Sequence, residues 1–287
     1  MNFRYRFLRF PEGKTRAFTM SYDDGCREDV RFSDLITSYG LKCTFNLNSM
    51  ALHGEDAMKT ETVKEKFLDR GHEVAVHGYF HRAPGMITPT ELVRDVLESR
   101  RELEARFGRI IRGMAYPDSG IRNMFPGNSY EEIKAILQSL GIVYARTLGA
   151  DNDLFRLPQD FLAWMPTAHQ ENDAVFEYID KFLAIDFENA YVANRYPRLF
   201  YLWGHGYEFT RREGGWERIE EICKKIAGHP DVWYATNMEI YDYVTAYNSL
   251  VFSLESDRIY NPTLYTIWFE IDRKPYKIAP GETLFLA

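Results

Sequence analysis

Short apolar runs alternate with helical patterns along most of this chain, and that alternation restricts the fold more than any single residue does. Strand-like runs fall at residues 15–22, 42–47, 73–76, 113–116, 143–145, 161–165, 199–203 and 232–235. Helical patterns fall between them, at 28–39, 62–70, 88–107, 129–141, 171–187 and 216–227, and a last one follows at 236–247. Three helices open on capping boxes, at Thr88/Glu91, Ser129/Glu132 and Thr236/Glu239, where the N-cap oxygen and the acid three residues on satisfy each other's backbone N–H groups. Repeated strand-then-helix units call for a parallel sheet in an α/β fold. Seven or eight units in about 250 residues predict a closed or nearly closed (β/α) barrel, whose C-terminal strand ends share one mouth.

From residue 248 the pattern changes to polar–apolar alternation without a helical period. Two units are therefore expected, a catalytic barrel over 1–247 and a small β appendage over 248–287. A net charge of −7 argues against nucleic acid or an anionic membrane as partner, since both select basic patches. Aromatic residues make up 15% of the chain; most belong in a core, and the surplus suits a site that stacks flat sugar rings. Cys26, Cys43 and Cys223 are odd in number and widely spaced, which implies neither a disulfide framework nor a Cys-Cys zinc site. With no signal-like apolar core near the start and no apolar run of about 20 residues, a cytoplasmic location is expected. The oligomeric state is left open.

Four polar clusters fall where strands end. FTMSYDDG, residues 18–25, stops an apolar run on Asp23 and Asp24. Asp-Gly is an ordinary turn signal, so alone this stretch is a turn. VAVHGYFH, residues 74–81, sets His77 and His81 four apart, a spacing that on a helical turn puts both imidazoles on one face. YLWGHGYEF carries His205 and GMAYPDSG carries Pro117, each at another strand end. One carboxylate with two imidazoles is a donor set for a first-row divalent ion, and the adjacent carboxylate is then free to act as base.

This constellation resembles the polysaccharide deacetylases of carbohydrate esterase family 4, the NodB-homology domain. The T-F-D-D-G motif of that family matches residues 21–25 at its last three positions. H-[ST]-x-x-H matches His77-Gly78-Tyr79-Phe80-His81, and L-x-x-H matches Leu202-Trp203-Gly204-His205. The likeness spans about 16–247 and leaves the tail outside. It implies a distorted (β/α) barrel of about seven strands, Asp23 as catalytic base and Asp24, His77 and His81 as metal ligands. His205 would be the general acid. Zinc is the default ion, with cobalt, nickel, iron or manganese as alternatives. An acetylated sugar or polysaccharide would be the substrate, with the oxyanion held by the metal and a backbone N–H near Tyr116.

Departures from the family pattern are plain. The R-x-P-x-G loop reads Ala115-Tyr116-Pro117-Asp118-Ser119-Gly120, without its arginine, and Arg146 in YARTL is the candidate replacement. Asp151 and Asp153 are candidate remnants of the aspartate-tryptophan segment that holds the acid histidine. Tyr116, Pro117, Trp164, His169, Trp203 and Tyr207 are the candidate substrate-lining residues. Two alternatives stand beside the deacetylase: a small-molecule C–N amidohydrolase on the same fold, and an inactive carbohydrate-binding relative.

Overall fold

The computed structural model describes residues 4–55, 57–124, 127–149 and 153–286. The first elements are β1 (Arg6–Arg9), β2 (Arg16–Asp24), α1 (Glu28–Ser38), β3 (Thr44–Leu47), α2 (Thr60–Lys66), β4 (Glu73–Val76), α3 (Pro89–Phe107) and β5 (Gly113–Ala115). Then come α4 (Tyr130–Ser139), β6 (Tyr144–Arg146), β7 (Ala168–His169), α5 (Val175–Leu183), β8 (Arg198–His205), α6 (Glu208–Arg211), α7 (Gly215–Ile226), β9 (Val232–Tyr234) and α8 (Asn237–Asn248). The tail holds β10 (Val251–Phe252), β11 (Arg258–Tyr260), β12 (Ile267–Ile271), β13 (Lys274–Ile278) and β14 (Thr283–Phe285).

The main sheet is parallel in the order β6-β5-β4-β3-β2-β8-β7, with β9 against the start of β2. It curls into a NodB-like (β/α) barrel. Trp164 bridges in parallel to Arg146 while Ala168 and His169 pair with β8, so the segment between them brings the two sheet edges together. The strand expected at 161–165 is instead a short 3-10 turn, Phe161–Ala163, and the pairing residues come later. Asp160 causes the turn by accepting the Leu162 N–H at 2.9 Å, and Pro166 has no N–H to offer a ladder.

All three capping boxes form. Helix α5 begins at Val175 rather than 171, since the Asn172 side chain takes the Ala174 N–H at 2.8 Å.

Two cores hold the fold. One lies between sheet and helices, with Phe45 and Phe67 stacked at 3.9 Å and Phe32 edge-on to Phe45. The other takes early positions of the barrel strands, Ala17 and Leu199, and continues through Tyr243 to Ile267 and Phe269 of the tail. β1 pairs antiparallel with β12, so residues 6–9 join the tail's sheet across the expected boundary at 247/248. Glu270 of β12 lies buried between Arg9 at 2.8 Å and Arg195 at 2.6 Å. Among the described residues no helix is long and apolar enough to cross a membrane.

Candidate active site

Strand register does most of the assembly. Asp23 on β2 lies opposite Asn46 of β3 on one side and His205 of β8 on the other. One residue on, Asp24 pairs with Leu47, which pairs with Val76, and His77 follows. β2 ends because Asp24 (φ 75°) and Gly25 (φ 72°) are both left-handed. A short polar side chain tolerates that region better than a branched one.

His77 is held by its Nδ1, 3.0 Å from the Ala115 carbonyl, so Nδ1 carries the hydrogen and Nε2 keeps its lone pair. His81 comes back to it through a loop with left-handed Gly78 and His81, not through the helical turn that the spacing suggested. That loop is fixed from α3: the buried Asp95 accepts the Phe80 N–H at 2.6 Å, and its main-chain carbonyl accepts Tyr79 N–H at 3.2 Å. A Cβ at Gly78 would sit 2.5 Å from Asp95 Oδ2, which explains glycine where the motif has serine or threonine.

His77 Nε2 lies 3.2 Å from His81 Nε2 and 3.5 Å from Asp24 Oδ1, and His81 Nε2 lies 3.2 Å from Asp24 Oδ1. Tetrahedral bonds of about 2.0–2.2 Å place donor atoms roughly 3.3–3.6 Å apart, so this triangle fits a zinc-sized cation. Burial pushes the Asp24 carboxyl up, but hydrogen bonds to both histidines outweigh it and hold the group far below the usual carboxylate range. The same contact raises His81.

Asp23 stays outside the triangle. Its side chain, 1% exposed, accepts from Asn46 Nδ2 at 2.8 Å and from the Arg146 guanidinium. Its Oδ2 is 3.9 Å from His77 Nε2 and 4.0 Å from His205 Nε2. Arg146, fully buried at the end of β6, stands 4.3 Å from the Trp203 ring.

His205 gives its Nδ1 hydrogen to Glu208 Oε1 at 3.1 Å. Glu208 Oε2 accepts the His205 backbone N–H at 3.1 Å and the Gln170 amide at 2.6 Å, and lies 3.2 Å from His169 Nε2. By distance His169, His205 and Glu208 resemble a second metal cluster. The tautomers say otherwise: His169 Nδ1 accepts the Glu171 N–H at 3.2 Å, so its Nε2 is a donor to Glu208. Burial raises the Glu208 carboxyl, yet the two histidines outweigh it and keep the group well below its ordinary value. Burial also pulls His205 down, and its bond to Glu208 with the nearby Asp23 charge reverses that, leaving a net raised value.

The structure thus brings Asp23, Asp24, His77, His81, Arg146 and His205 together, with Trp203, His169 and the Tyr207 ring, 5.0 Å from His205, beside them. Three expected lining residues need correction. Tyr116 is buried, its hydroxyl donating to the Leu162 carbonyl at 2.7 Å and its N–H to the Arg146 carbonyl at 3.0 Å, so neither is free for an oxyanion. Pro117 is buried beside it. Trp164 is in the second core, edge-on to Tyr144, Phe161 and Tyr201. Asp153 is exposed, and Asp151 lies outside the described residues. Sequence reading missed Asn46, Asp95, Glu208 and Asp118, whose Oδ1 is 3.8 Å from His81 Nδ1. The HGYE spacing was the available signal for Glu208.

Residues 10–145, just under half the chain, match the family model for polysaccharide deacetylase. No curated protein matches. Among solved structures, a candidate polysaccharide deacetylase from Mycobacterium smegmatis is 16% identical, covers 84% of this chain and 94% of its own, and has a TM-score of 0.57. The allantoinase Puue follows at 15% identity, 81% and 91% coverage, and 0.52. A carbohydrate esterase family 4 pseudoenzyme from Bacillus anthracis is 14% identical, with 82% and 68% coverage and 0.50. The chain spans only 55% of a Streptococcus pyogenes deacetylase, at 15% identity and a TM-score of 0.40. At these identities the structural likenesses bear on fold alone. The sequence match likens residues 10–145 to polysaccharide deacetylases, and the structural matches show the NodB-like (β/α) barrel fold.

Proposed function

We propose that this protein is a metal-dependent deacetylase that hydrolyses an N-acetyl, or alternatively O-acetyl, group on a carbohydrate. One observation carries the reading: three donor atoms within 3.5 Å of one another, with a second carboxylate beside them that is tied to Asn46 and Arg146 instead. A divalent cation held by Asp24, His77 and His81, zinc by preference, would supply a polarised acetyl carbonyl and a more acidic water. Asp23 takes the proton from the attacking water. Arg146 and Asn46 fix the orientation of its carboxylate. His205, its Nδ1–H held by Glu208, hands a proton from Nε2 to the departing nitrogen as the C–N bond breaks, so that an amine leaves and not an amide anion. Base and acid each contribute about 10²–10⁴-fold.

The test pairs metal analysis with acetate release from N-acetylglucosamine oligomers and from free N-acetyl sugars. Asp23→Asn is expected to keep its metal and lose turnover by about 10²-fold or more; His77→Ala and His81→Ala are expected to lose the metal. Full metal content in either histidine variant refutes the ligand set. A metal-loaded protein that releases acetate from neither substrate class refutes the activity.

A further inference from the structure

Several arginines at the barrel mouth have no carboxylate partner, although the chain is acidic overall at −7. Some arginines elsewhere are paired, Arg16 with Asp231, Arg70 with Asp34, Arg100 with Glu104 and Arg112 with Asp242, while Arg31 and Arg211 have an aromatic face instead. Around His81, Arg82 and Arg122 have no side-chain hydrogen bond or ion pair among the described residues, and Arg94 has only the face of Phe80.

Arg122 is the best placed. Its loop is clamped to the one after His81: Gly85 N–H donates to the Gly120 carbonyl at 3.0 Å, Met124 N–H to the Gly85 carbonyl at 2.9 Å, and any Cβ at Gly85 would overlap the Arg122 backbone. Arg122 lines a cavity of about 570 Å³ with Ser119, Thr147, Ile121, Leu148 and Met165, a size ordinary for small-ligand sites. Its lining comes from the loops after β5 and β6, at the same C-terminal end of the sheet as Asp24 and His77; Thr147 is next in sequence to Arg146, the partner of Asp23, and Ser119 to Asp118, whose Oδ1 is 3.8 Å from His81 Nδ1.

Among the described residues its walls combine an apolar surface for the C–H face of a sugar, two hydroxyls and one guanidinium without a carboxylate partner. A neutral sugar gains little from that cation, whereas a carboxylate or phosphate gains a charge-assisted, bidentate pair. We propose that this cavity seats the part of the substrate next to the acetyl group and that this part carries an anion, a carboxylate or a phosphate ester, paired by Arg122. The inference rests on the deacetylase reading for the acetyl-bearing sugar.

Calorimetric titration of the full chain tests it independently of turnover. The probes are N-acetylglucosamine, its 6-phosphate, N-acetylglucosaminuronic acid and N-acetylmuramic acid. At least one anionic sugar is expected to bind about tenfold or more tightly than N-acetylglucosamine, less so as salt is raised. The sugar that responds distinguishes carboxylate from phosphate. Arg122→Gln, at an exposed position, is expected to abolish the preference and leave neutral-sugar binding and metal content unchanged, while Arg122→Lys retains part of it. Equal binding of all four sugars overturns the proposal, as does a preference that survives Arg122→Gln or is lost with Arg82→Gln instead. Acetate release, measured on the same sugars, separates the two readings. An anion preference without release counts against the deacetylase only, and release without the preference counts against the anion site only.

Discussion

Arg146 is the residue whose replacement tests the most of this site. It has no solvent exposure, its guanidinium donates to Asp23 Oδ2 and to the Thr147 carbonyl, and Asp23 is itself 1% exposed. Arg146→Met fills much of the same volume without charge. Asp23 then keeps Asn46 as its one close side-chain partner, since His77 and His205 stand 3.9 and 4.0 Å away. Breaking a buried ion pair on one side costs about 3–5 kcal/mol, because the remaining charge is neither hydrated nor compensated. With a urea dependence of about 3 kcal/mol per molar for a chain of this size, the unfolding midpoint should fall by roughly 1–1.7 M. The double variant Arg146→Met/Asp23→Asn removes both charges and should be more stable than Arg146→Met alone, a coupling measurable by a double-mutant cycle. Both variants should be inactive, so stability recovers while turnover does not. The assay is equilibrium urea unfolding of chelated protein, so that metal affinity does not enter. If Arg146→Met shifts the midpoint by less than about 0.3 M, or the double variant is less stable than the single one, the pair is not what holds Asp23 and the argument fails.

Glu208→Gln removes a charge that raises His205, leaving burial, which lowers it, opposed only by the Asp23 and Asp24 charges. Because the proposed reaction needs protonated His205, activity should fall as pH rises through its folded value, and this alkaline limb should move to lower pH in the variant, read from a pH–rate profile. Glu208 itself titrates below its ordinary value, so the stability it lends is present above about pH 4.3 and is lost as pH falls through the depressed value; acid unfolding of the wild type against Glu208→Gln measures it. Gly78→Ala sets a Cβ against Asp95 at a left-handed φ of 74° and should weaken zinc binding in a chelator competition as the His81 loop shifts, with strain of about 1–3 kcal/mol. Glu270→Gln strips the shared counter-charge from buried Arg9 and Arg195 and should cost about 3–5 kcal/mol in urea unfolding, while metal content of the folded protein stays unchanged.

What could be read from the sequence follows the range of the physics involved. Asp23, Asp24, His77, His81 and His205 were legible because each sits where a strand ends, and a parallel barrel brings every such end to one mouth. Arg146 was legible for the same reason. Tyr116 and Trp164 obey the same rule of position, yet their side chains enter the core; in a strand each one-residue step reverses the side chain's direction, and an aromatic at a strand end can go either way. The pairing of β1 with β12 joins residues some 260 apart, and no local pattern encodes such a contact. The carboxylate that holds His205 was sought at Asp151 and Asp153, in a distant segment. It lies three residues downstream, because the chain turns into α6 at once and carries Glu208 back under the imidazole. Gly78 shows the same principle in the loop from His77 to His81. A motif that lacks its usual hydroxyl looks damaged when read along the chain, but in space Asp95 of α3 occupies the volume a side chain at 78 would need and holds the loop through the Phe80 N–H. A substitution at 78 therefore has to be judged together with residue 95, and a relative with serine at 78 should carry a smaller residue at 95.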